Sequence, residues 1–128
     1  MSIKYNVVER GRPGRPDAPK KYYPSIQSTG RVTMRQLAKE ASDMSTLSTA
    51  DMMAAIEACL TLIPEHLAKG HVVELGDFGN FWLRFSAEGA ESPAEVRGDQ
   101  ITRLIPRFIP GKEFKRVLSL AKFDKRRR

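Results

Sequence analysis

The chain has 128 residues, of which 41% are apolar and 29% charged, and its formal net charge is +7 at pH 7. This length and composition predict one small domain, or one domain with an extension, and exclude a disordered tail. No apolar run approaches the roughly 18 residues that span a membrane, and the first residues, MSIKYNVVERG, lack the apolar stretch of a signal peptide. We therefore expect a cytoplasmic protein without an internal disulfide, since Cys59 is the single cysteine.

Positive charge is concentrated at the two ends of the chain. Residues 1–23 hold six basic residues against two acidic ones, and residues 107–128 hold nine against two. Residues 24–106 hold seven basic residues against eleven acidic ones. Basic ends on a slightly negative body indicate a polyanionic partner, most often nucleic acid. The alternative is that the ends, KFDKRRR included, are solvated tails that only maintain solubility.

The first 30 residues predict an extension with two short edge strands, IKYNVVE and KKYYPSIQ. Pro24 argues against a central position for the second strand. Between the two strands lies RGRPGRP, Arg10 to Pro16, which is similar to a minor-groove hook. Proline holds the backbone extended and glycine removes bulk, so that arginine can enter a narrow groove of negative potential. A stiff basic linker is the favoured interpretation of the same segment.

Two amphipathic helices are predicted between about residues 33 and 70. TMRQ has the spacing of a capping box at the start of the first helix. Ser48 is the predicted N-cap of the second helix, and Gly70 is its predicted C-terminal glycine. Apolar residues recur at helical spacing through Leu67, and Cys59 is expected to pack within this stripe. The stripe is too wide for one small chain to cover, which predicts a homodimer.

From His71 the apolar period changes from about 3.6 residues to 2, which indicates strands. HVVEL, FGNFWLRF and ITRLIPRF are the three predicted strands. The last two are separated by SAEGAESPAEVRGDQ, an acidic segment that predicts a mobile loop or ribbon tip. Pro110 and Gly111 end the third strand, and KEFKRVLSLAKF predicts a short C-terminal helix.

This order of elements and three stretches of sequence resemble the HU/integration host factor family of bacterial histone-like DNA-binding proteins. LSTADMMAAIEACLTLIPEHLAKG is similar to the second helix of the family, VVELGDFGNFWLRF to its strand, glycine turn and strand, and FIPGKEFKRVL to the start of its last helix. The first 30 residues are similar to the extension of an elongated HU-like subgroup.

The resemblance implies an α+β fold that forms an intertwined homodimer. Each chain would contribute two N-terminal helices, a three-stranded antiparallel sheet with a β-ribbon arm at about residues 84–103, and a short C-terminal helix. The chain would divide into a basic, Pro-rich extension (residues 1–30), an HU-like DNA-binding domain (residues 31–123) and a basic C-terminal tail (residues 124–128).

The function that the resemblance implies is architectural. A nucleoid-associated protein of this kind binds and bends double-stranded DNA with low sequence specificity, mainly through phosphate contacts. Pro93 falls near the wedging proline of the family arm, although the loop is about one residue shorter, and Lys112 matches the lysine after Pro-Gly. The other expected DNA contacts are basic residues of the last helix, the arm and the extension: Lys115, Arg116, Arg84, Arg97, Arg103, Arg10, Arg12, Arg15, Lys20 and Lys21.

The arm departs from the family pattern in its charge. Residues 84–103 hold three arginines against four acidic residues, and the tip reads ESPAE. Glutamates beside an inserting proline repel phosphates, so a plain turn is the favoured interpretation of Pro93. The alternative function is therefore an HU-fold protein-interaction module with weak or no DNA bending.

No pattern of residues predicts catalysis, a metal site or a cofactor. His66 and His71 are five residues apart, and no further ligands converge with them at metal-binding spacing. No nucleophile with a plausible base is present, so we expect neither an enzyme nor a small-molecule substrate. The aromatic residues of the strands are expected in the core and the dimer interface, and Trp82 is the one for which an exposed, base-stacking role stays open.

Overall fold

The computed structural model describes residues 1–11 and 14–126. In this part of the chain the elements are, in order, β1 (Ser2–Arg10), β2 (Lys21–Gln27), α1 (Met34–Asp43), α2 (Thr49–Ala68), β3 (Val73–Glu74), β4 (Gly79–Ala87), β5 (Ile101–Pro110), α3 (Lys112–Ser119) and β6 (Lys122–Lys125). The fold is therefore α+β, as predicted. Arg12 and Pro13 of the predicted hook, and Arg127 and Arg128 of the predicted tail, lie outside the described residues.

The chain forms two compact units, one made of residues 1–33 and 117–128 and the other of residues 34–116. The first unit contains a three-stranded sheet in the order β2-β1-β6. The second contains α1, α2 and a three-stranded sheet in the order β3-β4-β5.

The sheet of the first unit differs from the prediction of two edge strands. β2 is at an edge, but β1 is the central strand, because β6 pairs with it in parallel from Ser2↔Lys122 to Tyr5↔Lys125. The last helix ends at Ser119, so the predicted helical extension to Phe123 is wrong. The Lys4 ammonium lies 3.6 Å from the carboxylate of Asp124, its partner across the β1–β6 ladder.

The ends of α2 confirm the predicted capping signals. The side chain of Ser48 accepts a hydrogen bond of 3.1 Å from the Asp51 amide, which satisfies one of the free N–H groups of the first turn. At the other end, Gly70 has a φ of 86°. Its N–H donates to the Leu67 carbonyl at 2.9 Å, and the His71 N–H donates to the His66 carbonyl at 3.1 Å. These two bonds form a Schellman motif, which needs a glycine at this position.

Replacing Ser48 with alanine is expected to destabilise the chain by about 1 kcal/mol, because the Asp51 amide loses its acceptor. Urea unfolding followed by circular dichroism measures this loss. Ser48→Asp keeps a side-chain oxygen at the cap and should retain nearly all of the stability. Equal midpoints for the alanine and aspartate variants would contradict the capping role.

The sheet of the second unit confirms the predicted three antiparallel strands. β4 pairs with β5 from Gly79↔Pro110 onward, with a register shift between Ser86 and Ala87. Four phenylalanines pack together where α3 meets the sheet. Their ring centroids are 4.9 Å apart for Phe81–Phe108, 5.3 Å for Phe78–Phe114, 5.4 Å for Phe78–Phe108 and 5.5 Å for Phe108–Phe114. This cluster fixes the start of α3 against the sheet.

Little apolar surface is buried by the chain itself. Ala38 and Leu67 are the only apolar side chains that are fully buried among the described residues. Leu60 on α2 is 56% exposed. Cys59 is also exposed, so the expectation that it packs is not met within one chain. None of the helices in residues 1–11 and 14–126 combines the length and hydropathy that a bilayer crossing requires.

Candidate nucleic-acid interface

Three arginines share one face of the ribbon formed by β4 and β5. On β5, Arg107 lies opposite Trp82 and Arg103 lies opposite Ser86, while Arg84 on β4 is two residues from each of these partners. Side chains that are directly opposite in an antiparallel pair project from the same face, and diagonal neighbours are within reach of long side chains. We call Arg84, Arg103 and Arg107 the ribbon arginines.

The ribbon arginines are exposed and unneutralised. All three guanidinium groups are on solvent-exposed residues, and no carboxylate among the described residues forms an ion pair with any of them. Like charges on neighbouring positions of a sheet repel each other. A polyanion bound across this face would remove that repulsion, which makes the face a candidate phosphate-binding surface.

Sequence reasoning named Arg84 and Arg103 but missed Arg107 as an individual contact. The available signal was spacing, because Arg103 and Arg107 are four residues apart on a predicted strand and therefore point to the same side. The opposite face of the ribbon is apolar, with Phe81 paired to Phe108 and Phe85 paired to Leu104. The ribbon therefore has one apolar and one basic face.

Trp82 lies on the basic face, opposite Arg107. Its side chain is half-buried, and its Nε1 is a buried donor without a hydrogen-bond acceptor in the described part of the chain. The ring itself thus contributes apolar surface between the arginines, while its N–H has no acceptor in the chain itself.

The arm tip lies beyond the paired ribbon, whose ladder ends at Ala87↔Ile101. Pro93 is exposed and opens a 3₁₀ turn, Pro93–Glu95, after an extended Ser92 with φ −141° and ψ 155°. This is the position in which proline favours a turn. Arg97 is also exposed, and its backbone N–H donates to the Gln100 side chain at 2.6 Å. The structure does not bring Arg97 or Pro93 onto the paired ribbon with the ribbon arginines.

The predicted basic residues of α3 differ in how free they are. Lys112 is the first residue of the helix and Lys115 lies in its first turn, and both are exposed. The Arg116 Nε, in contrast, donates to both carboxylate oxygens of Glu113, at 3.1 and 3.0 Å. This bond raises the pKa of Arg116 and lowers the pKa of the Glu113 carboxyl. Glu113 therefore competes with any phosphate for Arg116, and the Glu-x-x-Arg spacing was the signal for it.

A second basic group lies at the end of the β1–β2 hairpin. Arg10 at the end of β1 is directly opposite Lys21 at the start of β2, so two like charges are paired across the strands. Lys20 is adjacent, and Arg15 accepts a backbone bond of 3.1 Å from Ala18 in the connecting turn. All four residues are exposed. Arg12, which was predicted to join them, is outside the described residues.

The comparisons agree with these elements. A family model described as "HU domain fused to wHTH, Ig, or Glycine-rich motif", HU-HIG, matches residues 1–125. The chain belongs to this family of HU domains. The resemblance inferred from the sequence is thereby confirmed, and the match includes the N-terminal extension that precedes α1.

Individual relatives cover the HU domain to different extents. Integration host factor subunit beta of Colwellia psychrerythraea (strain 34H) is 29% identical over 93 residues, which is 70% of this chain and 98% of that protein. The crystal structure of a protein of Bacteroides vulgatus ATCC 8482, described as a bacterial DNA-binding protein, matches with a TM-score of 0.65 and 14% identity. That match covers 97% of the HU domain but 47% of the Bacteroides chain, so the HU domain spans about half of its length.

The fold is also that of a DNA-bound HU. The structure of Anabaena HU in a cocrystal with DNA matches with a TM-score of 0.55 and 21% identity, and it covers 70% of this chain and 99% of that one.

Proposed function

We propose that this HU domain binds double-stranded DNA with low sequence specificity, in an architectural, nucleoid-associated role in the cytoplasm. The observation that carries the proposal is the basic face of the β-ribbon, where three exposed arginines have no carboxylate partner among the described residues. Membership of the HU family and the fold shared with a DNA-bound HU support it.

The chemistry of the ribbon suits a phosphate backbone. Arginine presents a planar fork of donors that matches phosphate oxygens, and a two-stranded ribbon is narrow enough to follow a groove. Contacts to phosphates fix position but carry no base information, which is why we propose low specificity. Lys112 and Lys115 at the start of α3 would hold flanking phosphates.

The basic end of the N-terminal hairpin is proposed as an additional contact region. Paired cations such as Arg10 and Lys21 lower their mutual repulsion when a phosphate lies between them. Arg12, Arg15 and Lys20 belong to the same proposed region. The strength of DNA bending is proposed to be low, because the Pro93 turn lies between Glu91 and Glu95 and these carboxylates repel the backbone.

The proposed functional state is an intertwined homodimer. A chain of this size buries most of its large apolar side chains when it is complete, yet Leu37, Leu60 and Leu62 are each at least half exposed. A second copy that covers α1 and α2 would remove this surface from water. Two copies would also provide two ribbons, and hence twice the number of phosphate contacts.

The competing proposal is a protein-interaction module that has the HU fold without DNA bending. The acidic arm tip favours it, because a net negative arm attracts basic proteins and repels DNA: Glu88, Glu91, Glu95 and Asp99. Exchanging Lys112 and Lys115 for glutamate separates the two proposals. The exchange should abolish DNA binding under the first and leave a protein partner bound under the second.

The experiment that tests the proposed function is binding to a short labelled AT-rich duplex, measured by fluorescence anisotropy across a salt series. The slope of log K against log salt is roughly 0.9 per phosphate contact. We expect a steep slope, on the order of five contacts or more. Undetectable binding at low salt overturns the DNA proposal and leaves the interaction module.

Replacing Glu113 with glutamine is expected to raise DNA affinity several-fold, because Arg116 loses its carboxylate partner and becomes available to a phosphate. The salt slope should steepen by about 0.9 for each Arg116 released. Glu65→Gln, which removes an exposed charge from α2, controls for the change in net charge. An equal gain in affinity for both variants would contradict a specific role of the Glu113–Arg116 pair.

A further inference from the structure

The sheet of the first unit has a polar and an apolar face. One face carries mostly polar side chains from β1 and β2: Lys4, Asn6, Arg10, Lys21, Ser25 and Gln27. The other carries apolar side chains from all three strands, which we call the apolar face: Ile3, Tyr5, Val7, Tyr22, Ile26 and Phe123.

The apolar face is open to solvent in the single chain. Tyr22 and Ile26 are each 69% exposed, Phe123 is 62% exposed and Val7 is 48% exposed. A sheet with one uncovered apolar face gains stability only when another surface packs on it.

Two oppositely charged residues lie at separate places on the same face. Glu9 is opposite Tyr22 at one end of β1, and Lys125 is opposite Tyr5, four residues earlier along the strand. At about 3.3 Å per residue the two charges are ~13 Å apart along the strand, which is too far for an ion pair within one chain. Neither has an ion-pair partner among the described residues.

We infer that two copies of the chain pack their apolar faces together about a two-fold axis. Val7 is midway along β1 between Tyr5 and Glu9, so an axis perpendicular to the strand at Val7 exchanges these two rows of the sheet. Glu9 of each copy then meets Lys125 of the other. Interfaces between identical copies are commonly isologous in this way, with each contact made twice.

The same rotation brings apolar side chains together. Tyr22 shares the row of Glu9, and Ile26 shares the row of Tyr5, so Tyr22 of one copy packs on Ile26 of the other. The opposite charges at exchanged positions favour a second copy as the occupant, because a two-fold axis pairs them without any further residue. This contact involves only the first unit and does not depend on DNA binding.

Cross-linking of the full chain tests the inference. Val7→Cys is made in a Cys59→Ser background, because the exposed native thiol would react as well. Tyr23→Cys in the same background is the control, since Tyr23 is 44% exposed and lies on the polar face. With a short bismaleimide, we expect a covalent dimer for Val7→Cys at a yield at least fivefold that of Tyr23→Cys. Equal yields overturn the inference.

Charge exchange gives a second, independent readout. Glu9→Lys or Lys125→Glu alone should lower the Val7→Cys cross-linking yield several-fold, because each places like charges across the two-fold axis. The two changes together should restore it. Failure of the double exchange to restore the yield overturns the proposed pairing, and circular dichroism of each variant establishes that the chain is folded.

Discussion

Replacing the three ribbon arginines Arg84, Arg103 and Arg107 with alanine is expected to weaken DNA binding by roughly 100- to 1,000-fold at moderate salt. Each guanidinium that bonds a phosphate contributes about 1 kcal/mol or more, and about 1.4 kcal/mol is a factor of ten in affinity. The salt slope should also fall by about 0.9 for each contact removed. Anisotropy of a labelled duplex measures both quantities in one titration series.

The control for this variant removes the same charge elsewhere in the second unit. Arg35, Lys39 and Lys69 are exposed residues of the helical segments, and their replacement by alanine lowers the net charge equally. The control should lose only a few-fold in affinity, because long-range attraction is screened by salt. A loss as large as that of the ribbon variant would contradict the assignment of the basic face.

Replacing Gly79 with alanine is expected to destabilise the second unit by roughly 3 kcal/mol or more. Gly79 is buried at the start of β4 and has a φ of 147°, which side chains rarely adopt. An added Cβ would lie 2.5 Å from the Ile109 carbonyl oxygen and 2.6 Å from the Phe108 ring. Because Ile109 and Phe108 belong to β5, the clash would separate the two strands that carry the ribbon arginines.

Thermal unfolding measures this loss, and at roughly 4–8 °C per kcal/mol the midpoint should fall by more than about 10 °C. Gly76→Ala is the matched control, since Gly76 also has a positive φ, 59°, but no atom within 4 Å of an added Cβ. Its cost should be about 1–2 kcal/mol from backbone conformation alone. Equal midpoints for the two variants would show that close packing at Gly79 is unimportant.

The second unit was predictable to a large extent because its signals are local. The Ser48 cap and the Gly70 turn each act within one helical turn, and both occur where the pattern indicated them. The alternation in FGNFWLRF and ITRLIPRF correctly predicted β4 and β5. The acidic tip was recognisable for the same reason, although its two 3₁₀ turns were not predicted.

The first unit was predicted less well because its arrangement depends on pairing between the two ends of the chain. Phe123 and Lys125 continue an amphipathic pattern that starts in α3, and nothing nearby in sequence indicates that they leave the helix. Their strand exists because β1 offers backbone donors and acceptors along its second edge. The Arg126 N–H, for example, donates to the Tyr5 carbonyl at 2.8 Å.

The sequence by itself determined the family, the type and order of the elements in the second unit, and the concentration of positive charge near the two ends of the chain. Only the tertiary structure decided which charges act together. Strand register brings Arg84 between Arg103 and Arg107, and it places Glu9 and Lys125 on one face of the sheet. Helix caps and turns are set by interactions within a few residues. Cross-strand neighbours are set by backbone hydrogen bonds between distant segments, and their register follows from the packing of the whole unit.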